Sequence, residues 1–140
     1  MSGFSSAAFF MFSSIGSATA TNLVLSFWVK SSITGAFTVS IANSAENRWY
    51  GANYTINSAN TWEYKTITIP GCTDGTWITN NGWGITVHFQ FGAGSSRQGT
   101  ANAWGTNSSI RAPNGSVNLA ATNGATWYMT GLQFEAGSTA

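Results

Sequence analysis

From Asn22 to Lys30 the chain reads NLVLSFWVK, so Leu23, Leu25, Phe27 and Val29 fall on one face and Val24, Ser26, Trp28 and Lys30 on the other. A period of two predicts a β-strand with one buried face. After the turn-forming Ser31-Ser32-Ile33-Thr34-Gly35, alternation resumes with Phe37, Val39 and Ile41 against Thr38 and Ser40, which predicts a hairpin with the first strand. A strand is expected over 48–56, where Gly51 marks a bulge or a close backbone approach. Another is expected over 61–70, with Ile67 and Ile69 inward and Pro70 ending it. Ile85, Val87, Phe89 and Phe91 alternate with Thr86, His88 and Gln90, the clearest half-buried strand in the chain. A short strand over 116–120, a hairpin-type turn at Asn123-Gly124 and a closing strand over 127–135 complete the series.

Residues 92–114 show no sustained periodicity, and loops of that length are either functional or mobile. No capped amphipathic helix interrupts the strands. Short antiparallel strands at this spacing predict an all-β fold, a two-sheet β-sandwich of jelly-roll type. The expected organisation is one domain over 1–140, in which 1–21 forms an edge strand or an N-terminal assembly segment.

Composition narrows the chemistry. Charged residues make up 6% of the 140, against about 25% in ordinary soluble domains, while seven Trp are present. Solvation must therefore come from hydroxyls and amides. Five Lys+Arg, never clustered, argue against nucleic acid, whose binding rests on grouped cations. The lone Cys72 allows no intrachain disulfide and no zinc ligand set, and is read as a small residue at a turn. The apolar run Ala7 to Phe12 has no basic residue before it and is far too short to span a bilayer, so neither a secretory signal nor a membrane anchor is expected.

Catalytic material is sparse. Glu46, Glu63, Asp74 and Glu135 are the only acids, and no two lie close together on one strand face as a hydrolytic pair requires. His88 is the only histidine, and no nucleophile-elbow sequence frames any Ser. The chain is expected not to be an enzyme and to need no cofactor. A weak structural calcium site built on backbone carbonyls stays open, although the scattered acids argue against one.

Sugar recognition calls for flat aromatic faces together with planar polar side chains on an otherwise neutral surface. If the strands carrying Trp28 and Lys30 and carrying His88 and Gln90 share a sheet, its outer face becomes such a platform. Trp104, in the long loop, is a further candidate, and Trp49, Arg48 and Arg97 are candidate rim contacts. The competing reading covers Trp28 with the N-terminal segment or a neighbouring subunit. Trp62, Trp77 and Trp127, which follow turn signals, are assigned to the core.

The ordered segments LSFWVKSSITGAFTVSIAN (Leu25 to Asn43), NTWEYKTITIPG (Asn60 to Gly71), GTW (Gly75 to Trp77), GAGS (Gly92 to Ser95) and TWYMTGLQFEAG (Thr126 to Gly137) cover nearly the whole chain. Together they resemble the carbohydrate-binding-module-like jelly-roll domains of bacteriophage tail fibres and virion appendages. The resemblance implies a non-enzymatic module on a phage particle that recognises host-surface or environmental polysaccharide. It also implies contact with other virion proteins and a homo-oligomer, with a capsid-decorating or fibre-forming structural role as the alternative. Related sugar-binding jelly rolls carry an Asp pair near a calcium ion in the closing strand, where this chain has Thr130-Gly131.

Overall fold

The computed structural model describes residues 14–107 and 109–137. Its strands are β1 (Leu23–Ser31), β2 (Gly35–Asn43), β3 (Trp49–Ile56), β4 (Glu63–Ile69), β5 (Ile85–Gln90), β6 (Gln98–Gly99), β7 (Trp104–Gly105), β8 (Ala112–Pro113) and β9 (Trp127–Ala136). Among the described residues helix is limited to two three-residue 3-10 turns, Ser95–Arg97 and Leu119–Ala121. The main strands are rich in β-branched and aromatic residues, which pack well on a pleated surface.

The fold is all-β, built on two antiparallel sheets with strand orders β4-β1-β9 and β5-β2-β3-β7, plus a short parallel pair of β6 with β8. Both sheets contribute to one core. Leu23, Leu25, Phe27 and Val29 come from the first, and Phe37, Val39, Ile41, Tyr50, Ala52, Tyr54 and Ile56 from the second. Phe27 bridges the layers, meeting Tyr54 and Phe89 edge-on at ring separations of 5.1 Å each. Each such side chain contributes about 1.5–3 kcal/mol by leaving water. Trp127 Nε1 donates to Tyr54 Oη at 3.1 Å across the same core. Burial pushes the Tyr54 phenol well above its ordinary range, an effect that this hydrogen bond opposes.

β9 changes phase along its length. Opposite β1, Trp28 faces Thr130 and Ser26 faces Gln133, a register shift that marks a bulge at 131–132. Gly131 adopts φ +62° there, a left-handed conformation that costs glycine little. The bulge keeps Trp127, Met129, Phe134 and Ala136 against the core. Strict alternation would have turned Phe134 toward solvent.

Two sequence expectations need correction. β1 and β2 do not form a hairpin, because they lie in different sheets and β2 pairs with β3 and β5. Their linker is tied down elsewhere: Ser32 N donates to Thr126 O, and Asn60 N donates to Ser31 O. The chain therefore arches across the core, and the two apolar faces bury each other. The expected strand over 116–120 is absent; Asn118 instead caps the second 3-10 turn by accepting from Ala121 N. Of the N-terminal segment 1–21, expected as an edge strand or an assembly segment, the described part 14–21 is turn and coil anchored by Gly16 N donating to Cys72 O at 2.6 Å.

The long segment 92–118 is neither free nor featureless, since it covers the outer face of the second sheet. Val117 N donates to Ala36 O at 2.7 Å, Asn102 N donates to Gly51 O at 2.8 Å, and Ser116 Oγ lies 2.5 Å from Thr38 Oγ1. Ala112 and Pro113 of this segment are themselves buried, and Thr38 and Ser40 of β2 are buried beneath it.

Candidate functional site

The outer face of the first sheet carries the largest aromatic exposure. Because β1 is the central strand, its outward residues are flanked on both sides. One row across the sheet is Tyr64, Trp28 and Thr130. The adjoining row is Trp62, Lys30 and Tyr128, in which Lys30 Nζ lies 5.2 Å from the Trp62 ring centroid and 5.0 Å from that of Tyr128. Successive rows lie about 7 Å apart along the strands. Trp28 and Tyr64 touch at 5.4 Å with their rings tilted by 49°, so they form an angled pair and not a flat floor.

Exposure here is high for residues of this size: Trp28 45%, Trp62 41%, Tyr64 48% and Tyr128 50%. The core assignment of Trp62 is therefore corrected. Trp62 stands one position before β4, where the register continues opposite Lys30, and outward phase places it beside the cation. Farther along the sheet Thr66, Thr68 and Gln133 are exposed and Glu135 is half-buried, while Ser26 and Val24 of the central strand are buried between them and Leu132 at the bulge is exposed. Such a face can stack on apolar ligand surfaces at one end and offer hydroxyl and amide hydrogen bonds at the other.

No side-chain carboxylate among the described residues forms an ion pair with Lys30. Glu63 accepts from Lys65 Nζ at 2.7 Å and from the backbone N–H groups of Asn57 and Ser58. These bonds, led by the one from Lys65, hold its pKa down to about 2. Asp74 pairs with Arg48 through both carboxylate oxygens at 2.6 and 2.5 Å. Glu46 lies 4.0 Å from Arg111, and Glu135 accepts from Gln133 at 3.1 Å.

The remaining predicted site residues are elsewhere. His88 and Gln90 lie on β5, in the second sheet, so they do not share a face with Trp28 and Lys30. The single platform expected from the sequence is thereby replaced by two separate faces. His88 is half-buried, and its Nε2 is enclosed without a hydrogen-bond partner among the described residues. Burial pushes its pKa down, and Arg111 nearby adds to the effect.

Trp49 is buried and its indole lies over Gly51, so it is not a rim contact. Arg48 is held by Asp74. Trp104 packs on Tyr50 at 5.3 Å and Trp77 at 5.7 Å, and its Nε1 donates to Pro70 O at 2.8 Å. Arg97 is exposed within the long segment, with Nη1 donating to Ser109 O. Trp104 and Trp49 do border a cavity of about 280 Å³ under that segment. No group of three or more His, Cys, Asp or Glu side chains converges among the described residues.

No family model, curated protein or solved structure matches the chain.

Proposed function

We propose that this chain is a non-enzymatic carbohydrate-binding β-sandwich of jelly-roll type, and that it binds glycan on the outer face of β4-β1-β9. The observation that carries the reading is the exposed array of Trp28, Trp62, Tyr64 and Tyr128 around Lys30, running into a hydroxyl- and amide-lined surface. Exposed aromatic groups of this extent on a sheet face mark a binding surface. Sugars suit it because their C–H faces stack on rings while their hydroxyls take the adjoining polar positions. Glu63 and Asp74 are engaged by Lys65 and Arg48, which supports a binding role over a hydrolytic one.

Strand order supports the jelly roll. In the double Greek key with strands B to I, the sheets run B-I-D-G and C-H-E-F. Taking β1, β2, β3, β4, β5 and β9 as D, E, F, G, H and I reproduces the observed neighbours β9-β1-β4 and β5-β2-β3. The resemblance described above supports a place on a phage virion appendage. There many copies would act together, since one site of this kind binds in the micromolar to millimolar range, about 4–8 kcal/mol.

A structural role is the second reading, and a separate observation favours it. Trp83, 56% exposed, and Ile78, 40% exposed, border a mostly apolar cavity of about 250 Å³ beside β5, a surface suited to packing on another protein. Glycan-array binding by the purified chain and by Trp28→Ala decides between them. Glycan binding that falls at least tenfold in the variant, with its fold intact, supports the sugar reading. Absence of any glycan ligand, or unfolding of the variant, supports the packing role.

A further inference from the structure

We infer that the glycan taken by this face is acidic, and that Lys30 receives its carboxylate or sulfate group. The inference rests on the sugar-binding reading above and deepens it. Lys30 Nζ is held between the rings of Trp62 and Tyr128, at 5.2 and 5.0 Å from their centroids. Ring faces attract the ammonium but leave its N–H donors free for an anion approaching from solvent. No carboxylate among the described residues forms an ion pair with it.

Three of the other four cations differ in this respect. Lys65 pairs with Glu63 and Arg48 with Asp74, both at close range, while Arg111 lies 4.0 Å from Glu46. Arg97 stands on the 3-10 turn at Ser95–Arg97, away from the aromatic array. The nearest acid along the same face is Glu135, opposite Val24 and six positions down β1 from Lys30, about 20 Å at strand spacing. The array thus fixes a positive charge at one end, flanked by stacking surfaces and followed by hydrogen-bonding rows. Neutral sugars can accept a hydrogen bond from the ammonium but bring no opposite charge to it. A uronate or a sulfated sugar stacked on Trp28 or Tyr128 brings an anion to it.

Matched ligand pairs test the idea. Titration calorimetry with oligogalacturonate against its full methyl ester probes a carboxylate, and dextran sulfate against dextran probes a sulfate. At low salt the intact chain is expected to bind at least one acidic member at least tenfold more tightly than its neutral partner, with the advantage shrinking as salt is added. Lys30→Met, which keeps the packing stem, should bring the acidic member down to the affinity of its neutral partner. Trp28→Ala should weaken both members of the pair. Equal affinity within each pair, or an acidic preference unchanged in Lys30→Met, overturns the role of Lys30 and leaves the sugar-binding reading standing. If neither these ligands nor a broad glycan array yields binding, both readings fall.

Discussion

The indole of Trp49 lies across Gly51, two residues along the same strand face, so closely that a Cβ on Gly51 would overlap the ring. Gly51 also meets Pro113 of the covering segment, and its carbonyl accepts from Asn102 N at 2.8 Å. The glycine is therefore what lets the long segment close over the second sheet. Gly51→Ala is expected to destabilise the fold by roughly 1–3 kcal/mol, the usual penalty for overpacking a well-filled site. Denaturant unfolding measures it. Glycan affinity should not change, because the aromatic array lies on the opposite sheet.

Adjacent residues on β1 should behave in opposite ways. Phe27 is fully buried between the sheets, so Phe27→Ala is expected to cost about 3–5 kcal/mol. Trp28, its neighbour, points outward and is 45% exposed. Trp28→Ala should leave the melting temperature nearly unchanged and lower glycan affinity at least tenfold. A large loss of stability in Trp28→Ala would show that the face is a packing surface.

Period-two alternation made most of the strands legible, because inward phase follows directly from which positions are apolar. Partner choice was not legible: Ser31 to Gly35 can turn within a sheet or arch across the core, and the pattern on β1 and β2 is the same either way. His88 and Gln90 join Trp28 and Lys30 on one face only if β5 and β1 share a sheet, which alternation alone does not decide. The second half of the array was hidden for related reasons. Trp62 precedes its strand, so its facing could be read only by extending the register from Val29 opposite Glu63. On β9 the sequence WYMTGLQFE does not announce where phase shifts, although Gly131 is the signal a bulge reading would have used. Phe4, Phe9, Phe10, Met11 and Phe12, singled out as an assembly segment, lie outside the described residues.

Gly131 offers a direct test of that bulge. At φ +62° any residue with a Cβ is strained, so Gly131→Val should destabilise the chain by about 1–2 kcal/mol. Because the bulge sets the outward phase of Tyr128 and Thr130 against that of Gln133, glycan affinity should fall as well. Measuring both quantities separates this variant from Gly51→Ala, which should alter stability alone.

His88 and the ion-paired carboxylates Glu63 and Asp74 should make stability depend on acid, the histidine in a higher pH range than the carboxylates. His88 has its pKa lowered by burial, so the unfolded chain takes up a proton near pH 6.5 while the folded chain resists it. Its contribution is complete above about 6.5 and is lost as pH falls through the lower folded value. Glu63 has its pKa lowered from 4.5 to about 2, chiefly by Lys65. Its contribution is complete above about 4.5 and is lost as pH falls toward 2. Melting temperature is therefore expected to decline in two stages on acidification. His88→Gln should flatten the first stage and leave the second, and Glu63→Gln should reduce the second, to which Asp74 held by Arg48 also contributes, and leave the first. A wild-type melting temperature that stays level between pH 7 and 5 would show that His88 titrates alike in the folded and unfolded chain, and that its enclosure beside Arg111 is without energetic consequence.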